Sequence, residues 1–169
     1  MPALNLISNY FSLALLLSPA CLFFAFSFMI KDIPRFSLSN SFPYLPWQFF
    51  TIIIAGKVAT IGGILDWRFH RKNIQMKISK KERITEVIAL GFGGLPMFFL
   101  MWFAMMSTRP TIYLIPIIVV LIFTVSVICY DEFIFHKKRC GRLENLYHRM
   151  LVIGNGIAWL AWFQYIYVR

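Results

Sequence analysis

The sequence has little of the charge that a water-soluble protein carries on its surface. Only 14% of its 169 residues are charged, and only 7 of them are Asp or Glu. An ordinary soluble domain has about 25% charged residues. The hydrophobic fraction is high in turn, at 59%. This composition excludes an ordinary soluble domain and predicts that lipid covers most of the surface.

Cysteine is also scarce. The three cysteines, Cys21, Cys129 and Cys140, form no CxxC pair and no other spacing typical of a metal site. Two of them lie inside apolar segments. We therefore expect free thiols and look for metal ligands among other residue types.

The sequence instead contains long apolar runs. Several runs are each long enough to cross about 30 Å of hydrocarbon as a helix. They are Tyr10 to Ile30, Trp47 to Leu65, Ile88 to Met106, Thr111 to Tyr130 and Met150 to Val168. We therefore predict an all-α membrane protein in which residues 1–169 form a single transmembrane domain of about five transmembrane helices.

Basic residues set the predicted orientation. The 17 Lys and Arg residues give a net charge of +10. They cluster in short loops beside apolar runs and not in a separate basic domain, which argues against a nucleic-acid partner. The two most basic loops follow the second and fourth runs, so the positive-inside rule places both in the cytoplasm. The N-terminus is then cytoplasmic and the C-terminus lies outside.

The few acids and histidines recur in a fixed order. An acid followed by His at i+4 ends an apolar run. After a basic linker, Glu followed by Glu or His at i+4 precedes the next run. The members are Asp66, His70, Glu82 and Glu86, then Glu132, His136, Glu144 and His148. We therefore predict a first helix (10–30) followed by a duplicated helical hairpin, with repeat one over 47–106 and repeat two over 111–168.

The spacing predicts a metal site. Residues four apart lie on one face of a helix, so each helix end presents two potential ligands together. If the four faces turn inward, the eight groups meet at the cytoplasmic end and suffice for two metal ions. A carboxylate-rich set favours iron, with manganese and zinc as the other candidates. Asp131 points elsewhere than Glu132 on a helix, so we expect only one of the two to be a direct ligand.

The alternative is a set of ordinary interfacial charges. Glu82, Glu86 and Glu144 lie in the first turns of helices, where the helix dipole favours anions. Asp66 and Glu132 lie at C-terminal ends, where the dipole disfavours an anion and a cation must compensate. A neighbouring Arg or Lys can supply that charge as well as a metal ion can.

The repeated order of acids and histidines resembles an uncharacterised family of small bacterial multispan membrane proteins. The likeness runs from about Trp47 to Trp162, and Glu86 stands where such a pattern would have His. The types of ligand residue and their placement on helices are also similar to those of di-iron carboxylate proteins, in which facing helices carry Glu and His. With 3 histidines, the chain does not resemble the membrane desaturases and hydroxylases. The resemblance implies a bacterial inner (plasma) membrane location and supplies no substrate.

Several function hypotheses follow from these patterns. The leading one is a membrane-embedded di-metal oxidoreductase of the iron type, acting on a lipid, quinone or other apolar substrate at the cytoplasmic face. The enzymatic alternative is a zinc-dependent lipid hydrolase. The non-enzymatic alternative is an accessory subunit that packs against a membrane protein partner. An ion pathway is a further hypothesis, because Lys57 lies in the middle of a span, where a charge is costly.

Overall fold

The computed structural model of the protein describes residues 14, 17, 21, 46–72, 80–136 and 141–168. Every regular element within those ranges is helical, and they contain no strand. The predicted all-α class is therefore confirmed for the described part of the chain. The predicted first helix over 10–30 lies outside the described residues, apart from three helical positions.

Long α-helices alternate with short segments of tighter or wider helix. The α-helices are α1 (Trp47–Lys72), α2 (Lys80–Ile88), α3 (Leu95–Met106), α4 (Leu114–Asp131) and α5 (Arg142–Tyr167). The short segments are the π-helix π1 (Ala89–Gly94), a 3₁₀ turn (Pro110–Tyr113) and the π-helix π2 (Glu132–His136). Because π1 joins α2 to α3 without a break, these three elements form one continuous rod.

Three helical stretches are long and apolar enough to cross a membrane. They are Trp47–His70, Ile84–Met106 and Pro110–Ile134, and they contain the second, third and fourth apolar runs of the sequence. The described part of α5 does not reach the same apolarity, since Asn155 and Gln164 interrupt it. The predicted count of five spans is therefore not confirmed: the described residues provide three candidate spans and one further long helix.

The helices pack as two layers. In the first layer, α1 runs along α5, and this is the most extensive helix contact in the described part of the chain. In the second layer, the α2–π1–α3 rod packs against α4. The backbones of the two layers approach each other mainly where α3 meets α5. Each helix of the predicted first repeat thus pairs with a helix of the predicted second repeat.

Glycines allow the close approach within the first layer. A Cβ on Gly62 would lie 2.8 Å from the carbonyl oxygen of Tyr147, and a Cβ on Gly154 would lie 2.8 Å from the carbonyl oxygen of Ala55. These are backbone atoms that cannot move aside as a flexible side chain can. Small residues at such crossings let membrane helices pack closely. The register of α1 against α5 is therefore fixed one turn before Asp66.

An aromatic core fills one end of the bundle. The ring of Phe98 stacks on Trp102 at 6.1 Å between centroids and meets Trp162 edge-on at 5.5 Å. Phe49 and Met101 are almost fully buried beside them. Aromatic contacts of this kind add about 0.5–1.5 kcal/mol each beyond the burial of their area. We call this the aromatic end of the bundle, since the acids lie at the other end.

A hydrogen bond joins two elements at the aromatic end. The hydroxyl of Tyr167, in the last turn of α5, donates to the carbonyl oxygen of Pro110 at 2.9 Å. We expect Tyr167→Phe to lower the free energy of unfolding by about 1 kcal/mol, because a partly buried acceptor loses its donor. The measurement is the thermal unfolding midpoint in detergent. An unchanged midpoint would show that the bond contributes nothing to stability.

Candidate functional site

Acids and histidines from four helices meet at the end of the bundle opposite the aromatic core. The C-terminal ends of α1 and α4 and the N-terminal ends of α2 and α5 lie there together. We call the group the carboxylate–imidazole cluster; its described members are Asp66, His70, Glu82, Glu86, Asp131, Glu132, Glu144 and His148. The first layer contributes four of these side chains and the second layer contributes the other four.

In the first layer, an imidazole lies between two carboxylates. The Nε2 atom of His70 is 3.6 Å from Oδ1 of Asp66 and 3.3 Å from Oε1 of Glu144. The His70 side chain is 5% exposed and that of Glu144 is fully buried. Asp66 and His70 share a face of α1 at i, i+4, as the sequence predicts. The close crossing at Gly62 brings that face against the start of α5.

Several atoms of this group have hydrogen-bonding capacity that the described residues do not use. Oδ1 of Asp66 and both ring nitrogens of His70 are buried and make no hydrogen bond within the described ranges. The His70 imidazole therefore has the position that a metal ligand needs, between two carboxylates.

In the second layer, a glutamate is surrounded by other acids. Glu86 lies within electrostatic reach of Asp131, Asp66 and Glu82, and of the His70 imidazole. Glu82 is fully buried and Asp131 is 6% exposed. Buried like charges repel one another strongly, so a cation or protons must offset them. The neighbours of Glu86 come from α1, α2 and α4, which places it near the centre of the cluster.

A second imidazole contact connects the two layers. Nε2 of His148, on α5, is 3.3 Å from Oε2 of Glu132, on π2. The Glu132 side chain is 47% exposed, whereas that of His148 is 14% exposed. This pair therefore forms the open edge of the cluster, and the acids behind it are closed off from the surroundings.

The π-helix π1 decides which way Glu86 faces. A π-helical turn carries about one residue more than an α-helical turn. The residues before this turn are therefore rotated by about 100° about the helix axis relative to the residues after it. With this rotation Glu86 shares a face of the rod with Phe98 and Met105, which are buried. Gly93 holds π1 against α4, since a Cβ there would lie 2.5 Å from Oγ1 of Thr124.

The structure brings together seven of the eight residues that the sequence predicts as ligands. The side chain of His136 lies outside the described part of the chain. Asp131, which sequence reasoning left out in favour of Glu132, is buried next to Glu86. The sequence did contain a signal for Asp131. It lies seven residues after Thr124, which lies seven residues after Ile117, so all three side chains share the face of α4 that turns inward. Which stripe of an apolar helix faces inward is not visible in its sequence.

The arrangement of the described side chains falls short of a closed metal site. Within the described ranges, no group of three or more His, Cys, Asp or Glu residues is placed so that it could hold a metal ion. Two ligands bound to one ion at about 2.1 Å are roughly 3.0–3.4 Å apart. The His70–Glu144 and His148–Glu132 contacts, both 3.3 Å, lie within that range. Single pairs thus have suitable spacing, and complete coordination requires further side chains to turn inward.

Comparison with protein-family models, with curated proteins and with solved structures finds no match to this chain. Its function is therefore inferred from the chemistry of the cluster and from the three helices that are suited to span a membrane.

Proposed function

We propose that this protein is a membrane metalloprotein whose carboxylate–imidazole cluster binds two divalent metal ions at the cytoplasmic end of the helix bundle. The observation that carries the proposal is the His70 imidazole, which is buried between Asp66 and Glu144 without a hydrogen bond among the described residues. A ligand set with more carboxylates than imidazoles favours iron, with manganese next and zinc third.

The distribution of charge supports cation binding. Glu82 and Glu144 are fully buried within the cluster. A metal ion bound among the acids would supply positive charge inside the cluster. Lys57 is exposed on α1, away from the cluster. Its position gives no support to an ion pathway through the acids.

The membrane setting defines the substrate class of the proposal. The cluster lies at the ends of helices suited to span a bilayer, so an apolar molecule in the adjacent leaflet can reach its open edge at Glu132. We propose an oxidoreductase acting on a lipid, a quinone or another apolar compound. A zinc hydrolase acting on a lipid would use the same site with a different ion. The identity of the bound metal distinguishes the two reactions.

The topology belongs to the same proposal. We propose that α5 also crosses the membrane, because it packs along α1, which is apolar and long enough to span it. With the first apolar run added, the chain has five spans, a cytoplasmic N-terminus and an external C-terminus. A bacterial inner membrane is the proposed location.

One observation favours a second candidate function. In the apolar 18-residue window of the candidate span that contains α4, only 6% of the residues are buried within the bundle. Exposed apolar side chains such as Ile115, Val119 and Ile122 could pack against a larger membrane protein. Under this alternative the chain is an accessory subunit, and it contains no stoichiometric metal.

Metal content tests the proposal directly. We expect detergent-purified protein to contain iron or manganese, measured by elemental analysis, and His70→Ala and Glu144→Gln to retain about a tenth of that content or less. The reason is that each variant removes a ligand from the His70–Glu144 contact. Lys57→Gln is the control, since its side chain lies outside the cluster, and it should bind metal as the wild type does. Wild-type protein without metal, even after incubation with Fe²⁺ and Mn²⁺, would rule the proposal out.

A further inference from the structure

One face of α1, away from the carboxylate–imidazole cluster, combines exposed apolar side chains with a charge. Its exposed residues recur at alternating spacings of three and four positions. They are Trp47, Phe50, Ile54, Lys57 and Ile61, and we call them the Lys57 seam. This spacing is typical of the line along which two helices pack as a left-handed pair, the common arrangement in membrane bundles. One further helix is therefore enough to cover the seam.

The helix α5 leaves the seam uncovered. Gly154 of α5 packs against α1 at Ala55 and Ala59. At about 100° per residue, Lys57 lies roughly 160–200° around the α1 axis from these two residues. The seam is therefore on the side of α1 opposite to its main contact in the bundle.

The depth of Lys57 makes its charge costly. It lies near the middle of the candidate span Trp47–His70. At about 1.5 Å per residue, it is roughly 15 Å along the axis from Trp47 and roughly 20 Å from His70. A lysine side chain reaches only about 6 Å, too short a distance to bring its ammonium group from the middle of about 30 Å of hydrocarbon to water. A charge at such a depth typically pairs with an opposite charge.

This chain places no described acid at the depth of Lys57. Every described Asp and Glu belongs to the cluster at one end of the bundle. The nearest acid along α1 is Asp66, roughly 14 Å further along the axis. In the sequence, Asp32 follows the first apolar run, and the run itself, from Tyr10 to Ile30, contains no Asp or Glu. The opposite charge must therefore come from another molecule.

We propose that the Lys57 seam binds a transmembrane helix of a different membrane protein, and that this helix presents an Asp or Glu side chain to Lys57 in the middle of the bilayer. A second copy of this chain does not fit. Two seams packed face to face would bring two lysines together, and the apolar runs of the second copy offer no acid in the middle of a span. The proposal goes beyond metal binding and does not depend on it.

A synthetic helix tests the charge complementarity. The probe is a polyleucine transmembrane peptide with one central Glu, and fluorescence energy transfer measures its binding to the full-length protein in phosphatidylcholine vesicles. We expect the Glu peptide to bind at least about 10-fold more tightly than peptides with central Leu or Lys. Lys57→Arg should keep this preference, Lys57→Met should abolish it, and Lys57→Glu should reverse it in favour of the Lys peptide. A wild type without the preference, or a Lys57→Met variant that keeps it, would contradict the proposal.

The stability of the same variant shows whether Lys57 is paired within its own chain. We expect isolated Lys57→Met to unfold in detergent at the wild-type temperature or above it, because the described residues offer no acid at this depth. This result would also show that the variant is folded. A lower unfolding temperature would mean that Lys57 already has a partner inside the chain, and the proposal would be wrong.

Photocrosslinking in the native membrane identifies the occupant. A benzophenone amino acid replaces Ile54, one turn from Lys57 on the seam, and in a matched control it replaces Ile122, which is exposed on α4. We expect the probe at position 54 to link to a span that contains an Asp or Glu in a different membrane protein. Lys57→Met should reduce this link by at least about 10-fold and leave any link from position 122 unchanged.

The other outcomes of the crosslinking would overturn the proposal. They are links from position 54 only to lipid, to a second copy, to residues 10–30, or to a span without an acid. Metal content separates this proposal from the proposed function. It is measured on the same Lys57 variants and should equal that of the wild type whether or not the partner helix binds.

Discussion

Deletion of Gly91 is expected to weaken metal binding by at least about 10-fold and to leave the protein helical. Gly91 belongs to π1, and a Cβ built there meets no atom within 4 Å. Removing one residue lets the rod from Lys80 to Met106 continue as a regular α-helix. The turn that carries Glu82 and Glu86 then rotates by about 100° relative to the buried face of α3. Both carboxylates leave the cluster, although no ligand has been substituted.

The control for this deletion keeps the length of π1 unchanged. Gly91→Ala adds a methyl group into open space, so its metal content should equal that of the wild type. We expect the deletion to lose at least about 10-fold in Mn²⁺ affinity. Its helical content by circular dichroism and its elution in gel filtration should match those of the control. A folded deletion variant with wild-type affinity would show that π1 does not orient the site.

Gly62→Ala and Gly154→Ala are each expected to destabilise the protein by about 1–3 kcal/mol. The added methyl group would meet backbone atoms of the facing helix at 2.8 Å in both cases. The helices α1 and α5 must then move apart along their main contact. Because His70 and Glu144 face each other across this contact at 3.3 Å, the separation should weaken metal binding as well. Thermal unfolding in detergent and metal content measure the two effects.

Two other glycines on the same helices serve as matched controls. Gly56 on α1 and Gly156 on α5 have no atom within 4 Å of a built Cβ. Alanine has a higher helix propensity than glycine by about 1 kcal/mol, so Gly56→Ala and Gly156→Ala should unfold at the wild-type temperature or above it. Gly→Ala is thus expected to lower the stability of the protein at Gly62 and Gly154, and to leave it unchanged or raise it at Gly56 and Gly156. A similar effect at all four glycines would mean that close packing of α1 on α5 does not stabilise the fold.

Much of the candidate site could be predicted from the sequence because its acids and histidines come in short-range pairs. The i, i+4 spacing of Asp66 and His70 places both on one face of any helix, and the structure finds them 3.6 Å apart. Asp131 could not be predicted in the same way. An apolar helix such as α4 has similar residues all round, and only its packing against π1 shows which face is inward.

The positions of most helices could be predicted from the apolar runs of the sequence. The start of α1 at Trp47 and the end of α3 at Met106 coincide with the predicted boundaries, because Pro46 and the Ser107–Pro110 segment interrupt regular helix there. Polar residues at the other ends did not stop the helices, so α1 continues to Lys72 and α5 begins at Arg142. A charged residue ends an apolar run without ending a helix.

The sequence by itself determined that the chain is helical, that its helices are suited to a bilayer, and that paired acids and histidines lie near their ends. These properties follow from residue types a few positions apart, and hydropathy and helical periodicity act over that range. Only the tertiary structure decided that α1 pairs with α5, that π1 turns Glu86 inward, and that Asp131 is buried while Glu132 is half exposed. Such features depend on which surfaces fit together, through contacts such as those of Gly62 and Gly93 with side chains and backbone far away in the chain.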